Sequence, residues 1–206
     1  ERPGVVWYYF IITIQDKVYY YGNDMDRLGG IGRLYETVPP GYQITVYKEE
    51  ATTPDWFKEG VMYQIFPDRF YKGTDQVLSP KPDSVIHGAW SNHPYYVRDA
   101  DTGRIVYYDF FGGNLQGIIT KLPYLKELGI SVIYLNPIFS SPSNHRYDTG
   151  DYKTVDSMLG DNQVFSDLCT QAKKNGISII LDGVFSHTGS DSLYFNKDGN
   201  YPGVGA

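Results

Sequence analysis

Ile130-Ser-Val-Ile-Tyr-Leu-Asn-Pro137 and Ile177-Ser-Ile-Ile-Leu-Asp182 are two short apolar runs that each end on a polar residue. Neither alternates cleanly between apolar and polar positions, as expected of strands buried on both faces of a parallel sheet. Between them, Val164, Phe165, Leu168, Cys169 and Ala172 recur at helical spacing, bounded by Asp161 and Gly176. Asp is a favoured N-cap and Gly a favoured terminator, so this segment predicts an amphipathic helix. A strand, a helix and a second strand in this order imply a right-handed crossover and a parallel sheet.

The pattern extends upstream. Leu115, Ile118, Ile119, Leu122, Leu125 and Leu128 form a second helical stripe, from a cap at Asn114 to a stop at Gly129. Pro123 lies inside it and is expected to bend the helix or mark its true start. Val61-Met-Tyr-Gln-Ile-Phe66 reads as another buried strand. Residues 71–113 read as a long, mostly irregular insertion rich in Pro, Gly, His and Tyr. Loops of that length are uncommon unless they carry function.

The front of the chain has a different character. Trp7 to Tyr21 is β-branched and aromatic apart from Gln15-Asp16-Lys17, which predicts a hairpin, and Tyr42-Gln-Ile-Thr-Val-Tyr47 predicts a further strand. Residues 1–50 are therefore expected to be the C-terminal part of an antiparallel β-sandwich, and residues 51–60 a polar linker.

Composition excludes several classes. There are 24 acidic against 18 basic side chains, a net charge of −6 with no basic block, so nucleic acid is not an expected partner. No apolar run approaches the roughly 18 residues that cross a bilayer, so no membrane partner is expected. The lone Cys169 cannot form an internal disulfide and reads as a structural thiol on a helix face. It leaves the compartment open; an extracellular location is the expectation and a cytoplasmic one the alternative. The 20 tyrosines admit two readings, strand filler or stacking platforms for sugars.

Mechanistic motifs such as a P-loop, G-x-S-x-G or H-E-x-x-H are absent, and Gly29-Gly30-Ile31-Gly32 lacks the strand–helix context of a dinucleotide loop. What remains is polar residues just after parallel strands, where α/β folds bind ligands. Asn136 to Asp148 carries His145 and Tyr147, and Asp182 to Gly189 carries His187. A ring for the flat face of a pyranose, with carboxylate and imidazole partners for its hydroxyls, suits a sugar. Turn capping and loop packing would explain the same residues without a ligand. A zinc site from His145 and His187 is disfavoured because they form no close ligand pair.

Val61-Met-Tyr-Gln-Ile-Phe-Pro-Asp-Arg-Phe70, Phe110-Phe-Gly-Gly-Asn-Leu-Gln-Gly117, Ser143-Asn-His-Arg-Tyr-Asp-Thr149 and Asp182-Gly-Val-Phe-Ser-His-Thr-Gly189 together resemble the α-amylase family of glycoside hydrolases, in its neopullulanase, cyclomaltodextrinase and amylopullulanase branch. The resemblance covers roughly residues 1–200. It implies an α/β fold in which residues 61–206 are the first three βα units of a (β/α)8 barrel, preceded by the end of a starch-binding-like sandwich. It implies that His145 and Tyr147 line the subsite of the sugar to be cleaved, that Asp182 orients neighbouring groups, and that His187 bonds sugar hydroxyls. The family's nucleophile and acid follow strands four and five, so this chain is expected to lack both and to be inactive alone. The expected parent is a retaining hydrolase of α-1,4 bonds, with α-1,6 bonds left open as a second target, in starch, pullulan or maltooligosaccharides.

The family often binds calcium, but Ser186 stands where Asn is common, Lys72 replaces a ligand, and Asn114 replaces an Asp. A lysine brings the wrong charge to a hard dication, leaving Asp75 and Asn114 as the candidate calcium ligands. A non-catalytic carbohydrate-binding module that keeps the sugar subsite is the competing expectation. An uncovered sheet edge would also favour self-association.

Overall fold

The computed structural model describes residues 2–73, 80–82 and 84–205. The chain divides into two compact units, Glu1–Pro54 and Asp55–Ala206.

In the first unit, β1 (Gly4–Tyr8), β2 (Phe10–Ile14), β3 (Lys17–Gly22), β4 (Arg33–Tyr35) and β5 (Tyr42–Val46) form two antiparallel sheets, β1–β5 and β2–β3–β4. The loop between β2 and β3 is two residues, Gln15 and Asp16, with φ of 47° and 67°. Two positive φ values give the turn whose twist matches that of the flanking strands. The single hairpin expected from Trp7 to Tyr21 is instead divided at Tyr9, with β1 leaving to pair with β5. Nothing in the aromatic run marks this break, because the pairing is selected by a partner 34 or more residues later in the chain. Several tyrosines act as filler between strands, with Tyr8 5.6 Å from Tyr42 and Phe10 6.3 Å from Tyr21 between ring centroids.

The second unit opens with α1 (Asp55–Lys58), a single turn within residues read as a linker. It continues with β6 (Met62–Ile65), a 3₁₀ turn at Pro67–Arg69, and β7 (Ser84–Ile86), β8 (Val97–Arg98) and β9 (Ile105–Phe110). Then come α2 (Leu115–Glu127), β10 (Val132–Leu135), the short pair β11 (Phe139–Ser140) and β12 (Asp151–Val155), α3 (Asn162–Lys174) and β13 (Ser178–Leu181). β6, β10 and β13 form a parallel sheet with β10 central, Val132 pairing with both Met62 and Ser178.

The caps act where the sequence places them. Asn114 Oδ1 accepts from Gly117 N at 2.8 Å to start α2, and Asp161 Oδ1 accepts from Val164 N at 2.8 Å to start α3. Gly129 and Gly176, at φ 86° and 73°, end them in the left-handed region that glycine adopts without strain. Pro123 neither starts nor breaks α2, because Leu122 and Leu125 on either side are fully buried and carry the packing across it.

The core lies between sheet and helices. Ile65, Ile133 and Leu135 pack with Leu115, Ile118, Leu122 and Leu125 of α2 and with Leu168 and Ala172 of α3. Each such aliphatic side chain stabilises the fold by about 1.5–3 kcal/mol. One expectation needs correction. Only β10 is buried on both faces, whereas Met62 and Tyr63 of β6 stay 50% and 41% exposed, because β6 and β13 are the outer strands of a three-stranded sheet. Most described residues of the insertion are irregular, as expected, but it also carries three short strands: β7 pairs parallel and β8 antiparallel to β9, and β9 ends in the fully buried Phe110.

Candidate functional site

The strand ends are held in register beyond the ladder itself. Asn136 N donates to Ile65 O at 2.9 Å and Asp182 N to Leu135 O at 3.1 Å, so the residues after all three strands emerge together. Here the Tyr147 hydroxyl donates to Asp182 Oδ2 at 3.0 Å, joining the loops after β10 and β13. Burial raises the Tyr147 phenol above its ordinary pKa, and its hydrogen bond to Asp182 raises it further, so it stays a donor. Tyr134, near the end of β10, is raised in the same way by burial and then by Asp182. The sequence reading missed Tyr134, because an unbroken apolar run such as β10 carries no alternation to mark it.

His145 Nδ1 accepts from Tyr147 N at 3.1 Å and lies 3.1 Å from Ser143 Oγ. An Nδ1 that accepts from a backbone N–H leaves the neutral ring's proton on Nε2, available to donate to a ligand. The His145 and Tyr147 rings are 6.0 Å apart at 32°, and Tyr108 of β9 meets His145 edge-on at 5.8 Å. His145, Tyr147 and Asp182 therefore come together. His187 does not join them by any hydrogen bond among the described residues; it is exposed, its Nδ1 is 3.1 Å from Ser186 Oγ, and its carbonyl accepts from Tyr152 OH at 2.6 Å.

The loop bearing His145 and Tyr147 is anchored by buried charges. Arg146 between them has φ 61° and is 1% exposed, with Nη2 donating to Asp156 Oδ1 at 3.0 Å and Nη1 to Asn144 O at 2.8 Å. Its left-handed backbone accompanies the return of Tyr147 N–H onto the His145 ring. Asp156 also takes Lys81, whose amine burial pushes below its ordinary pKa despite the carboxylate. Asp148 accepts from the hydroxyls of Ser141 and Ser143.

A second anchor centres on Asp109, at the buried end of β9. Its carboxylate accepts from Arg69 Nη2 at 2.9 Å, Tyr95 N at 3.1 Å and Asn144 Nδ2 at 3.0 Å, and pairs with His87 Nε2 at 2.9 Å. Burial pushes this carboxyl up, but the His87 bond, the Arg69 charge and the Tyr95 N–H outweigh it and hold it below the ordinary range. Asp68 goes the other way: burial raises it, although Phe111 N, Arg69 and Gly112 N all favour its charged form. Neither residue stands out in the sequence, because both act through partners some 40 positions away.

Of the two candidate calcium ligands, Asp75 lies outside the described residues, and Asn114 Oδ1 accepts from Gly117 N at 2.8 Å and from Gly73 N at 3.2 Å, which occupies both of its lone pairs. Among the described residues no three His, Cys, Asp or Glu side chains gather as metal ligands. Burial raises the Cys169 thiol above its ordinary pKa, which suits a structural rather than a reactive cysteine.

Parallel strands joined by helices, with aromatic, imidazole and carboxylate groups at their C-terminal ends, define an α/β protein of barrel type with a polar strand-end site. The model of the α-amylase catalytic domain matches residues 64–203, and the chain belongs to the α-amylase family. It is 49% identical along its whole length to an amylopullulanase from Thermoanaerobacterium thermosulfurigenes, covering 12% of that protein. Its structure resembles a cyclic α-maltosyl-(1→6)-maltose hydrolase from Arthrobacter globiformis, in complex with cyclic α-maltosyl-(1→6)-maltose, with TM-score 0.59 and 39% identity over 70% of this chain and 29% of that one. A maltogenic amylase from S. marinus aligns with 96% of the chain and 26% of its own, at TM-score 0.57 and 32% identity. β6, β10 and β13 with their helices are the first units of a barrel whose sheet is not closed here. The chain spans 12%, 17% and 15% of the three amylopullulanases it matches.

Proposed function

We propose that this chain is the sugar-holding portion of a longer retaining α-glucan hydrolase that acts on α-1,4 or α-1,6 bonds of starch, pullulan or maltooligosaccharides. The observation that carries this reading is the Tyr147–Asp182 hydrogen bond of 3.0 Å beside His145. It sets an aromatic ring, a carboxylate acceptor and an imidazole N–H donor at one place, the three features a pyranose ring requires. The relatives that cleave maltose-based substrates support it.

Retaining hydrolysis needs two carboxyl groups about 5–5.5 Å apart across the bond. The carboxylates near these strand ends are already engaged: Asp68 by Phe111 N and Gly112 N, Asp148 by two serines, Asp182 by Tyr147. We assign neither nucleophile nor acid among them, and expect the 206 residues alone to release no reducing sugar from pullulan or starch.

Titration of the full-length protein with maltotriose tests the site. Tyr147→Ala is expected to weaken binding at the strand-end site, followed at the His145 imidazole resonances, at least about tenfold, since losing a stacked ring and a charge-assisted hydrogen bond removes more than 1.4 kcal/mol. Unchanged affinity would remove this reading.

A further inference from the structure

We propose that a second saccharide pocket, apart from the strand-end site, lies in the insertion between β6 and α2, where Trp90, His87 and Lys72 hold one or two pyranose units of the same glucan. The proposal rests on the α-glucan reading for its ligand class, and on separate residues for its location.

The pocket has a volume of about 480 Å³ and is lined by Tyr71, Lys72, His87, Gly88, Trp90 and Phe111. That size lies within the range of small-molecule sites, about 300–1,000 Å³. Trp90 is 47% exposed, and its indole stands at 80° to the Phe111 ring with centroids 5.8 Å apart. The contact sets the plane of the indole while leaving much of it open, and a flat apolar surface suits the C–H face of a sugar.

His87 makes the pocket chemically specific. Its side chain is only 4% exposed, lies against Phe111 at 4.0 Å between ring centroids, and bonds Asp109 through Nε2. Asp109 already accepts from Arg69, Tyr95 N and Asn144, so it is an acceptor and the imidazole proton sits on Nε2. In the neutral ring Nδ1 is then an acceptor, and it has no hydrogen-bond partner among the described residues. An occupant that donates a hydrogen bond fits this nitrogen.

Lys72 imposes the opposite requirement, because an ammonium only donates. An ionised carboxylate satisfies Lys72 but offers only acceptors to the lone pair of His87, and the chain's net charge of −6 opposes carboxylate and phosphate alike. A hydroxyl both donates and accepts. A polyhydroxylated ring that stacks on Trp90 meets all three demands. The pocket shares no residue with the His145, Tyr147 and Asp182 group; Asp109 links them, bonding His87 on one side and Asn144, the neighbour of His145, on the other.

The test is maltotriose titration of the full-length protein, followed through the Trp90 indole and His87 imidazole resonances and by calorimetry, with inorganic phosphate as a parallel ligand. Maltotriose should shift both resonances and phosphate neither. Tyr147→Ala should keep this event, Tyr147→Ala with Trp90→Ala should weaken it at least tenfold, and Trp90→Phe should restore most of it. If maltotriose leaves both wild-type resonances unmoved, or phosphate alone moves them, the pocket is not a saccharide site. Loss of all binding in Tyr147→Ala would overturn the pocket and keep the strand-end site. Loss confined to Trp90→Ala, with Tyr147→Ala unaffected, would keep the pocket and overturn the strand-end reading.

Discussion

At the scale of single residues, the site depends on a few buried charges. Asp109 has a folded-state pKa below its ordinary value, so its stabilising contribution is complete above about pH 4 and is lost as pH falls through the depressed folded value. Asp109→Asn should lower stability at neutral pH and flatten the acid limb of a stability profile between about pH 6 and 2, measured by urea unfolding at each pH. An acid limb as steep as the native one would show that Asp109 is not the group responsible. Arg146→Met removes the Nη2 bond to a carboxylate that is itself about 1% exposed, and should cost about 3 kcal/mol by the same measurement. The loss should extend to maltotriose affinity, because His145 and Tyr147 flank this residue.

Helix α2 is the element whose construction is clearest. Asn114 caps its first turn and also receives Gly73 N, so Asn114→Ala should destabilise by about 1–2 kcal/mol in thermal or chemical unfolding, and Asn114→Asp should recover much of it. Gly117 within that first turn has a different importance. A Cβ there would run into the carbonyl oxygen of Tyr71, so Gly117→Ala should be destabilising despite alanine's better helix propensity, by about 1–3 kcal/mol. The stripe from Leu115 to Leu128 and both of its ends were legible as helix because they depend on neighbours three or four residues away. The division of Trp7–Tyr21 between two sheets and the strands inside the insertion were not, since a strand's partner is chosen by tertiary packing.

For the whole molecule, the parallel sheet has a well-packed helical side and an outer strand, β6, that remains half open. Phe185, just after β13, is 80% exposed. The 206-residue chain on its own is therefore expected to bind a hydrophobic dye and to elute above its 23.4 kDa monomer mass in size-exclusion chromatography, in a concentration-dependent way. A monomer peak at all concentrations with no dye binding would contradict this. Leu168→Ala, which empties the contact between α3 and the rest of the core, should cost about 2–5 kcal/mol without altering which strands pair.

By itself the sequence determined the alternation of β6, α2, β10, α3 and β13, the helix ends, the family, and the presence of His145, Tyr147, Asp182 and His187 just beyond parallel strands. Those properties reside in short windows: a hydrophobic period, a capping residue, a motif of eight or ten positions. Only the tertiary structure decided that Tyr147 bonds Asp182 while His187 turns to Ser186, and that Asp109 gathers Arg69, His87 and Asn144. The same packing places the His87 ring in the lining of a pocket. These outcomes were hidden because a hydrogen bond between residues 22 to 40 positions apart leaves no periodic trace in the chain; it is selected when burial makes an unpaired charge costly and only one folded arrangement supplies its partners.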